Sequence, residues 1–295
     1  MTAPERLADL FDEHRPHVRA VAYRMLGSVA EADDAVQDTW LKVSRADVDG
    51  ITNLRAWLTT VVARVCLDML RTRASRREEP LEVHVPDPIV MRLADGTGAG
   101  PEADAIRANE VSLALLVVLE TLEPVERLAL VLHDVFGMAY EEIAPIVDRS
   151  VVATRQVASR ARRRVQREAP RSRVDLEAQR HVVEAFLAAV QEGDVERLVT
   201  VLDPDVVLRA DGGRARGMSR LVRGASGVIA QAAAFSKLGL SSALVRVNGD
   251  VGVVSRLPDG RMLSVMAFAI AGDQVVEMNI LADPDRLQRL DLRNM

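Results

Sequence analysis

The sequence is poor in several things at once. It has one cysteine, Cys66, in 295 residues. With no second cysteine and no nearby histidine, neither a disulfide framework nor a cysteine-based metal site is expected. Cys66 sits in an apolar helical run and reads as a small buried hydrophobe. No apolar stretch approaches the ~20 residues that a membrane-spanning helix requires. The acidic start, MTAPERLADLFDEH, lacks the apolar core of a signal peptide. These absences point to a reducing cytoplasm and no membrane partner, and no cofactor or metal is expected. Aromatic residues are only 3% of the chain, and beyond residue 175 there is no Tyr or Trp and a single histidine, His181. A tyrosine-based oxyanion hole is thereby excluded from that part, and acid–base chemistry has little to work with. Nor is there an excess of positive charge: the formal net charge is −5, so DNA affinity from bulk electrostatics is expected to be weak.

What positive charge there is gathers in one place. From Arg149 to Arg173 nine arginines face one acid, Glu168. They follow a two-helix pattern over residues 139–167, AYEEIAPIVDRSVVATRQVASRARRRVQR. Tyr140, Ile143 and Ile146 give the first helix an apolar stripe, which Pro145 is expected to bend. Asp148-Arg149-Ser150 supplies the turn. Asp148 takes the left-handed conformation that many such turns give to glycine, and Ser150 caps the second helix. Val152, Val157 and Ala161 are expected inward. Arg149, Ser150, Thr154, Arg155, Gln156, Ser159, Arg160 and Arg163 are expected to face DNA: short polar residues reach base edges in the major groove, and guanidinium groups hold phosphates.

Upstream, residues 5–75 read as a helical domain. Leu7, Leu10, Phe11, Val18, Val21 and Met25 begin it, Gly27 ends the first helix, and Ser28 caps the next. The second helix, Val29 to Val43, carries acids outside and Val36, Trp40 and Leu41 as an apolar stripe. Asn53 precedes a third helix with Trp57, Leu58, Val61, Val65 and Leu70 for the core and a basic tail.

The stretch MLGSVAEADDAVQDTWLKV, with NLRAWLTTVVARVCLDMLRTRASRRE after it, resembles region 2 of the extracytoplasmic-function sigma factors of bacterial RNA polymerase. Residues 111–167 resemble region 4 of the same family. The resemblance implies roles for particular residues. Asp33, Asp34, Gln37, Asp38, Trp40 and Leu41 correspond to the surface that docks on the β′ coiled coil of core RNA polymerase, where a carboxylate-rimmed apolar patch suits a basic helical hairpin. The third helix corresponds to the reader of the −10 promoter element, with Asn53, Arg64, Asp68, Arg71 and Arg73 as candidates. The 150–164 helix corresponds to the −35 reader.

Four segments are therefore expected: region 2 over 1–78, a flexible acidic linker over 79–110, region 4 over 111–173, and a third domain over 174–295. The linker is proline-punctuated, and GTGAGP at 96–101 does not favour regular structure. The family branch in question shows Trp-Leu-Pro-Glu-Pro there, where this chain has Val85-Pro86-Asp87-Pro88. In the third domain, helical periodicity is followed by alternating strands, with Asn248-Gly249, Pro258-Asp259-Gly260 and Gly272-Asp273 as hairpin signals. A strand is expected at 206–210 and a helix over 217–234. The pattern predicts an α+β cone and resembles the SnoaL-like domain carried by a branch of these sigma factors. Asp211-Gly212-Gly213-Arg214 is close to that branch's glycine-rich motif. Asp283-Pro284-Asp285-Arg286-Leu287 resembles its Asn-Pro-Asp-Lys-Leu. These make Asp211, Gly212, Gly213, Arg214, Asp283 and Asp285 candidates for a regulatory pocket or interface, with a small apolar ligand as a possible occupant.

The reading that joins these features is a promoter-specificity subunit, not an enzyme, which binds core polymerase and promoter DNA and is modulated by its third domain. One rival is a ligand-responsive helix-turn-helix regulator that grips duplex DNA as a dimer without polymerase. Another is a cone-fold isomerase or cyclase, with Asp211 as base, fused to a DNA-binding module.

Overall fold

The computed structural model describes residues 3–46, 50–75, 83–93, 111–169, 175–213 and 219–290. Arg214 and GTGAGP lie outside them. The chain divides into two compact units, one built from Met1–Glu79 and Val118–Glu168 and one from Pro80–Val117 and Ala169–Met295.

The first unit is helical. Helix α1 (Ala3–Leu26) stops at Gly27, whose φ of +73° no β-carbon would favour. The Ser28 hydroxyl then accepts the Glu31 N–H and starts α2 (Val29–Val43). In the same way the Asn53 side chain accepts the Ala56 N–H at 3.1 Å and starts α3 (Leu54–Ser75). Phe11, Val18, Val21 and Met25 pack with Val36, Leu58, Val62, Cys66 and Leu70 as a fully or nearly fully buried core. Burying each large apolar side chain contributes roughly 1.5–3 kcal/mol. Burial pushes the Cys66 thiol up to about 12, so it is an inert apolar group, as its setting in the sequence suggested. Trp57 and Val61 are only half-buried; the α3 stripe runs through Val62 and Cys66 instead.

The rest of this unit begins within α4 (Leu113–Glu120) and continues through α5 (Pro124–Leu130), which has Pro124 in its first turn. The chain then widens into a π-helical turn, Val131–Val135, which the sequence pattern did not disclose. His133 sits in this turn, donates from Nδ1 to the Met138 carbonyl at 2.9 Å, and stacks on Tyr140 with ring centroids 3.9 Å apart. Helices α6 (Tyr140–Val147) and α7 (Val151–Glu168) follow. Helix α6 runs on through Pro145 to Val147.

Within this unit the two helical parts touch: α3 packs on α5 and α6, and the π turn packs on α1. Arg127, only 2% exposed, donates from Nε and Nη2 to the Arg24 carbonyl, each at 3.3 Å. Burial pulls its pKa down to about 10, and it stays charged at neutral pH. Phe136 takes the Arg24 guanidinium over its ring at 5.0 Å and the His17 ring edge-on at 5.5 Å.

The second unit is an α+β cone. Its first strand, β1 (Val90–Arg92), comes from the stretch expected to be part of a flexible linker. Asp175 and Asp194 accept backbone N–H groups to cap α8 (Leu176–Glu192) and α9 (Val195–Val201). Strands β2 (Leu202–Asp211) and β3 (Arg220–Arg223) precede α10 (Ala225–Ser236). The meander β4 (Ser241–Val247), β5 (Asp250–Arg256), β6 (Met262–Ala271) and β7 (Gln274–Leu281) ends in α11 (Pro284–Leu287). Among the described residues seven strands form one sheet in the order β1-β4-β5-β6-β7-β2-β3, antiparallel except for β2 on β7. Asn248 and Gly249, at φ +51° and +92°, make the tight β4–β5 hairpin. Val183, Phe186 and Leu198 from the helices meet Val206, Leu208, Val253, Phe268 and Met278 of the sheet in one core. From residue 219 on, the expected 217–234 helix is instead a short edge strand followed by a helix, residues 217 and 218 lying outside the described residues, and β2 starts earlier than residue 206. Among the described residues no helix is long and apolar enough to cross a membrane.

Candidate nucleic-acid interface and linker clamp

The helix-turn-helix is present with the expected turn. Asp148 has φ +56° and ψ +51°, and its N–H and that of Arg149 both return to the Ala144 carbonyl. The Ser150 hydroxyl accepts the Ala153 N–H at 3.2 Å and opens α7. One face of α7 is buried through Thr154, Val157, Ala158 and Ala161, the i, i+3, i+4, i+7 row of a helix. The other face exposes Val152, Arg155, Gln156, Arg160 and Arg163, with Ser159 half-buried and Arg149 and Ser150 exposed before it. Two expectations are therefore exchanged. Thr154 is 0% exposed, and its hydroxyl donates to the Ser150 carbonyl at 3.0 Å, so it cannot reach a base edge. Val152, expected inward, is 67% exposed.

The arginines of α7 divide by their partners. Arg162 is tied to Asp134, with Nε to Oδ2 at 2.7 Å; that hydrogen bond and one it donates to Tyr140 raise its already high pKa. Arg164 pairs with Glu168 at 3.2 Å. Arg160 lies 3.9 Å from Glu126, a loose pair on an exposed side chain. The Arg155 guanidinium lies over the Tyr140 ring at 5.5 Å, which steadies it while leaving it exposed.

On α3, Arg64, Asp68 and Arg71 are exposed at i, i+4 and i+7, so the structure places them on one face. Asn53 serves as the helix cap. Arg73 points elsewhere and pairs with Glu31 of α2. On α2, Asp34, Gln37, Asp38 and Leu41 form an exposed row, Leu41 being 44% exposed. Trp40 is half-buried against Phe11, with ring centroids 5.1 Å apart. Asp33 is exposed but accepts Arg19 Nε at 2.5 Å, which balances its charge. A groove of about 330 Å³ between α2 and α3 is lined by Glu31, Asp38, Asp68 and Arg73 over Val65 and Met69. Residues assigned separately to polymerase and to DNA thus share one groove.

In the second unit the motif residues assemble into a clamp on the linker. Asp283 accepts the N–H groups of Asp285 and Arg286, and so caps α11 and aims Arg286. Arg286 then donates to Asp87 at 2.7 Å, to Asp211 at 2.7 Å and to the Val85 carbonyl at 2.6 Å. Asp211 also accepts the N–H groups of Val85 and Gly213, and His84 Nδ1 lies 3.1 Å from its Oδ2. Burial would push the Asp211 carboxyl up. The hydrogen bonds from His84, Val85 and Gly213, with the Arg286 charge, outweigh it and hold it at about 2. So weak a base does not suit the proton abstraction considered for it. Gly213 has φ +59°, and a β-carbon there would collide with the Asp283 carboxylate, which explains the glycine. Gly212 donates to Ser219 at 3.0 Å, while Asp285 is exposed on α11.

A second fastening lies on β4. The Asn248 side chain accepts the Ile89 N–H at 2.9 Å and donates to the Val111 carbonyl at 3.2 Å, gripping the linker before and after its undescribed stretch. Sequence reasoning passed over Arg286, Asp87, His84 and Asn248 as contact residues. The available signal was that the linker motif and the two domain motifs departed from the branch pattern together yet kept opposite charges, Asp87 against Arg286. The sheet face opposite α8 carries Arg209 bonded to Glu277 and Asn279 at 2.8 and 2.7 Å. The cavity there, bordered by Ser112, Asp250 and Asn279, is about 10 Å³. That is room for one water.

Comparison with known proteins agrees with this geometry. Residues 10–76 match the family model of Sigma-70 region 2, and residues 112–165 match that of Sigma-70, region 4. The chain is 38% identical over 289 residues to the ECF RNA polymerase sigma factor SigJ of Mycobacterium tuberculosis, covering 94% of this chain and 91% of that relative. It is 36% identical over 201 residues to the probable ECF RNA polymerase sigma factor SigI of the same species, covering 67% of each. The crystal structure of the M. tuberculosis SigJ aligns with a TM-score of 0.74 at 33% identity, covering 97% of this chain and all of that one. Two sigma regions in the right order, an α+β cone after them and a relative matched along nearly its whole length leave one conclusion: this chain belongs to the extracytoplasmic-function family of RNA polymerase sigma factors.

Proposed function

We propose that the chain binds core RNA polymerase through the exposed α2 row of Asp34, Gln37, Asp38 and Leu41, reads −35 DNA with α7, and engages the −10 element with the Arg64–Asp68–Arg71 face of α3. The observation that carries this reading is the outer face of α7. Behind a left-handed turn at Asp148 it presents Ser150, Gln156 and exposed arginines, in a chain whose net charge is −5. Such a protein has guanidinium groups for local contacts but too little charge for a strong grip of its own, which is what a subunit needs when a large partner supplies most phosphate contacts.

The third domain modulates this activity by holding the linker. Two elements centred at −10 and −35 stand about 25 base pairs apart, roughly 85 Å along the duplex. A compact unit of the size of the helical one has a radius of gyration of only about 14 Å. The α3–α5, α3–α6 and α1–π-turn contacts therefore have to part before both elements are engaged, and the linker sets how far they can part. The Arg286 cluster and Asn248 shorten that reach.

The test is reconstituted transcription with purified chain and core polymerase on promoters selected from genomic DNA. A promoter-dependent transcript is expected, together with only weak, salt-sensitive binding of the isolated chain to the same DNA. Tight site-specific binding without polymerase, and no transcript, would remove the proposal.

A further inference from the structure

Val152 is 67% exposed, an isolated large aliphatic side chain in the first turn of α7. Its neighbours on that face are Arg155 and Gln156, three and four residues on, and Ser159 a turn later, with β-carbons of adjacent turns about 5–6 Å apart. All of these are polar, and Arg155 and Gln156 are exposed. The stripe that anchors the helix runs through Thr154, Val157, Ala158 and Ala161, so Val152 contributes nothing to the core. A single exposed valine is unremarkable on an ordinary surface. Here it stands in the middle of the face that meets DNA, in the N-terminal part of the helix, which in helix-turn-helix proteins contacts base edges. Thr154, two residues on, is turned inward and fixed by its bond to the Ser150 carbonyl.

The major groove offers one aliphatic feature along base edges, the 5-methyl group of thymine. Valine is suited to it, since its branched Cβ leaves essentially one χ1 rotamer in a helix and little freedom is lost on contact. We propose that Val152 is a specificity-determining residue that packs against a thymine methyl in the −35 element, within a base pair or two of the base edge read by Gln156. This rests on the assignment of α7 as the −35 reader.

The experiment uses holoenzyme assembled from the full chain and core polymerase, on a promoter selected from random DNA. Each −35 thymine is replaced singly by deoxyuridine, which removes the methyl and nothing else, and open-complex formation is measured with the wild-type chain and with Val152→Ala. One position is expected to lose about fourfold with the wild type, the effect of one methyl-sized apolar group removed from contact. With Val152→Ala, thymine and uracil at that position are expected to behave alike. Three results overturn the inference: no thymine is methyl-sensitive, the sensitivity is undiminished in Val152→Ala, or the selected element contains no A·T pair. The absence of any promoter-dependent transcript on unmodified DNA defeats the sigma reading itself, and this inference with it.

Discussion

Arg286 and Asp211 lie 2.7 Å apart in the second unit, with side chains only 18% and 9% exposed, and the same guanidinium holds Asp87 of the linker. Removing one partner from such a buried cluster costs about 3–5 kcal/mol, because the carboxylates left behind lose their counter-charge. Arg286→Met is therefore expected to free residues 83–92 while the rest of the cone stays folded. Hydrogen exchange read by mass spectrometry would show faster exchange at the Val85 and Ile89 amides. Unchanged protection there would mean that Asp211, Asn248 and the pairing of β1 with β4 hold the linker without Arg286.

Asn248→Gly separates the second fastening from the first. Asn248 sits at φ +51°, so glycine keeps the turn and removes only the side chain. The Ile89 N–H and Val111 carbonyl would lose a buried partner, at a cost of about 1–3 kcal/mol. Thermal unfolding should register that loss, and a double variant with Arg286→Met should release the linker further than either change alone. Equal release in single and double variants would show that the two fastenings are not independent.

How much of this was legible depends on how local its cause is. Caps and breakers are local: Gly27, Ser28, Asn53 and Asp148 play the backbone roles their positions in the sequence suggest. The helix faces were legible too, once the spacing is followed instead of residue identity. Thr154, Val157, Ala158 and Ala161 fall on one row, whereas Val152 does not, and hydrophobicity alone misplaces both Val152 and Thr154. The clamp was not legible. Asp87, Asp211 and Arg286 are far apart in the chain, and only the assembled sheet and the capped α11 bring them together. Strand β3 was hidden because RLVR precedes an alanine-rich helix whose periodicity extends over it. The burial of Arg127 depends on the Arg24 carbonyl, which no pattern around residue 127 announces.

Acid should weaken the two units in different windows. In the helical unit, burial first, then the Arg55 charge, lowers the His17 pKa from 6.5 to about 4, so the folded form prefers the ring neutral. The stabilising preference is complete above pH 6.5 and is lost as pH falls towards 4. In the cone, Asp211 is held at about 2 against an ordinary 3.8. Its contribution is present above pH 3.8 and is lost as pH falls through 2. Urea unfolding followed against pH should show both declines. His17→Gln should flatten the upper one and Asp211→Asn the lower one. A single decline untouched by either change would contradict both assignments.

Phe136 tests the closed form of the helical unit. Its ring receives Arg24 and the edge of His17, which join the π turn to α1. Phe136→Ala removes both contacts from a half-buried site, so the loss should be smaller than the 3–5 kcal/mol of a fully buried phenylalanine. If that packing opposes engagement of polymerase and promoter, the variant should assemble with core enzyme faster than the wild type and be more extended in solution, as small-angle scattering would measure. Slower assembly with unchanged dimensions would show that the contact is not a barrier to opening.

The two polar residues Thr154 and Gln156 on α7 should fail in opposite ways. Thr154 is completely buried and its hydroxyl bonds the Ser150 carbonyl. Thr154→Val keeps the volume and removes that bond, so stability should fall by about 1 kcal/mol while the preferred −35 sequence stays the same. Gln156 is exposed in the reading face. Gln156→Ala should leave stability within about 0.5 kcal/mol, yet relax discrimination at one base pair by about 1–3 kcal/mol if the amide reads an adenine edge. Promoter selection with each variant holoenzyme, alongside thermal melts, measures both quantities. If Thr154→Val shifts the selected sequence and Gln156→Ala does not, then the helix meets DNA on the opposite face from the one exposed in this structure, and the assignment of Val152 falls with it.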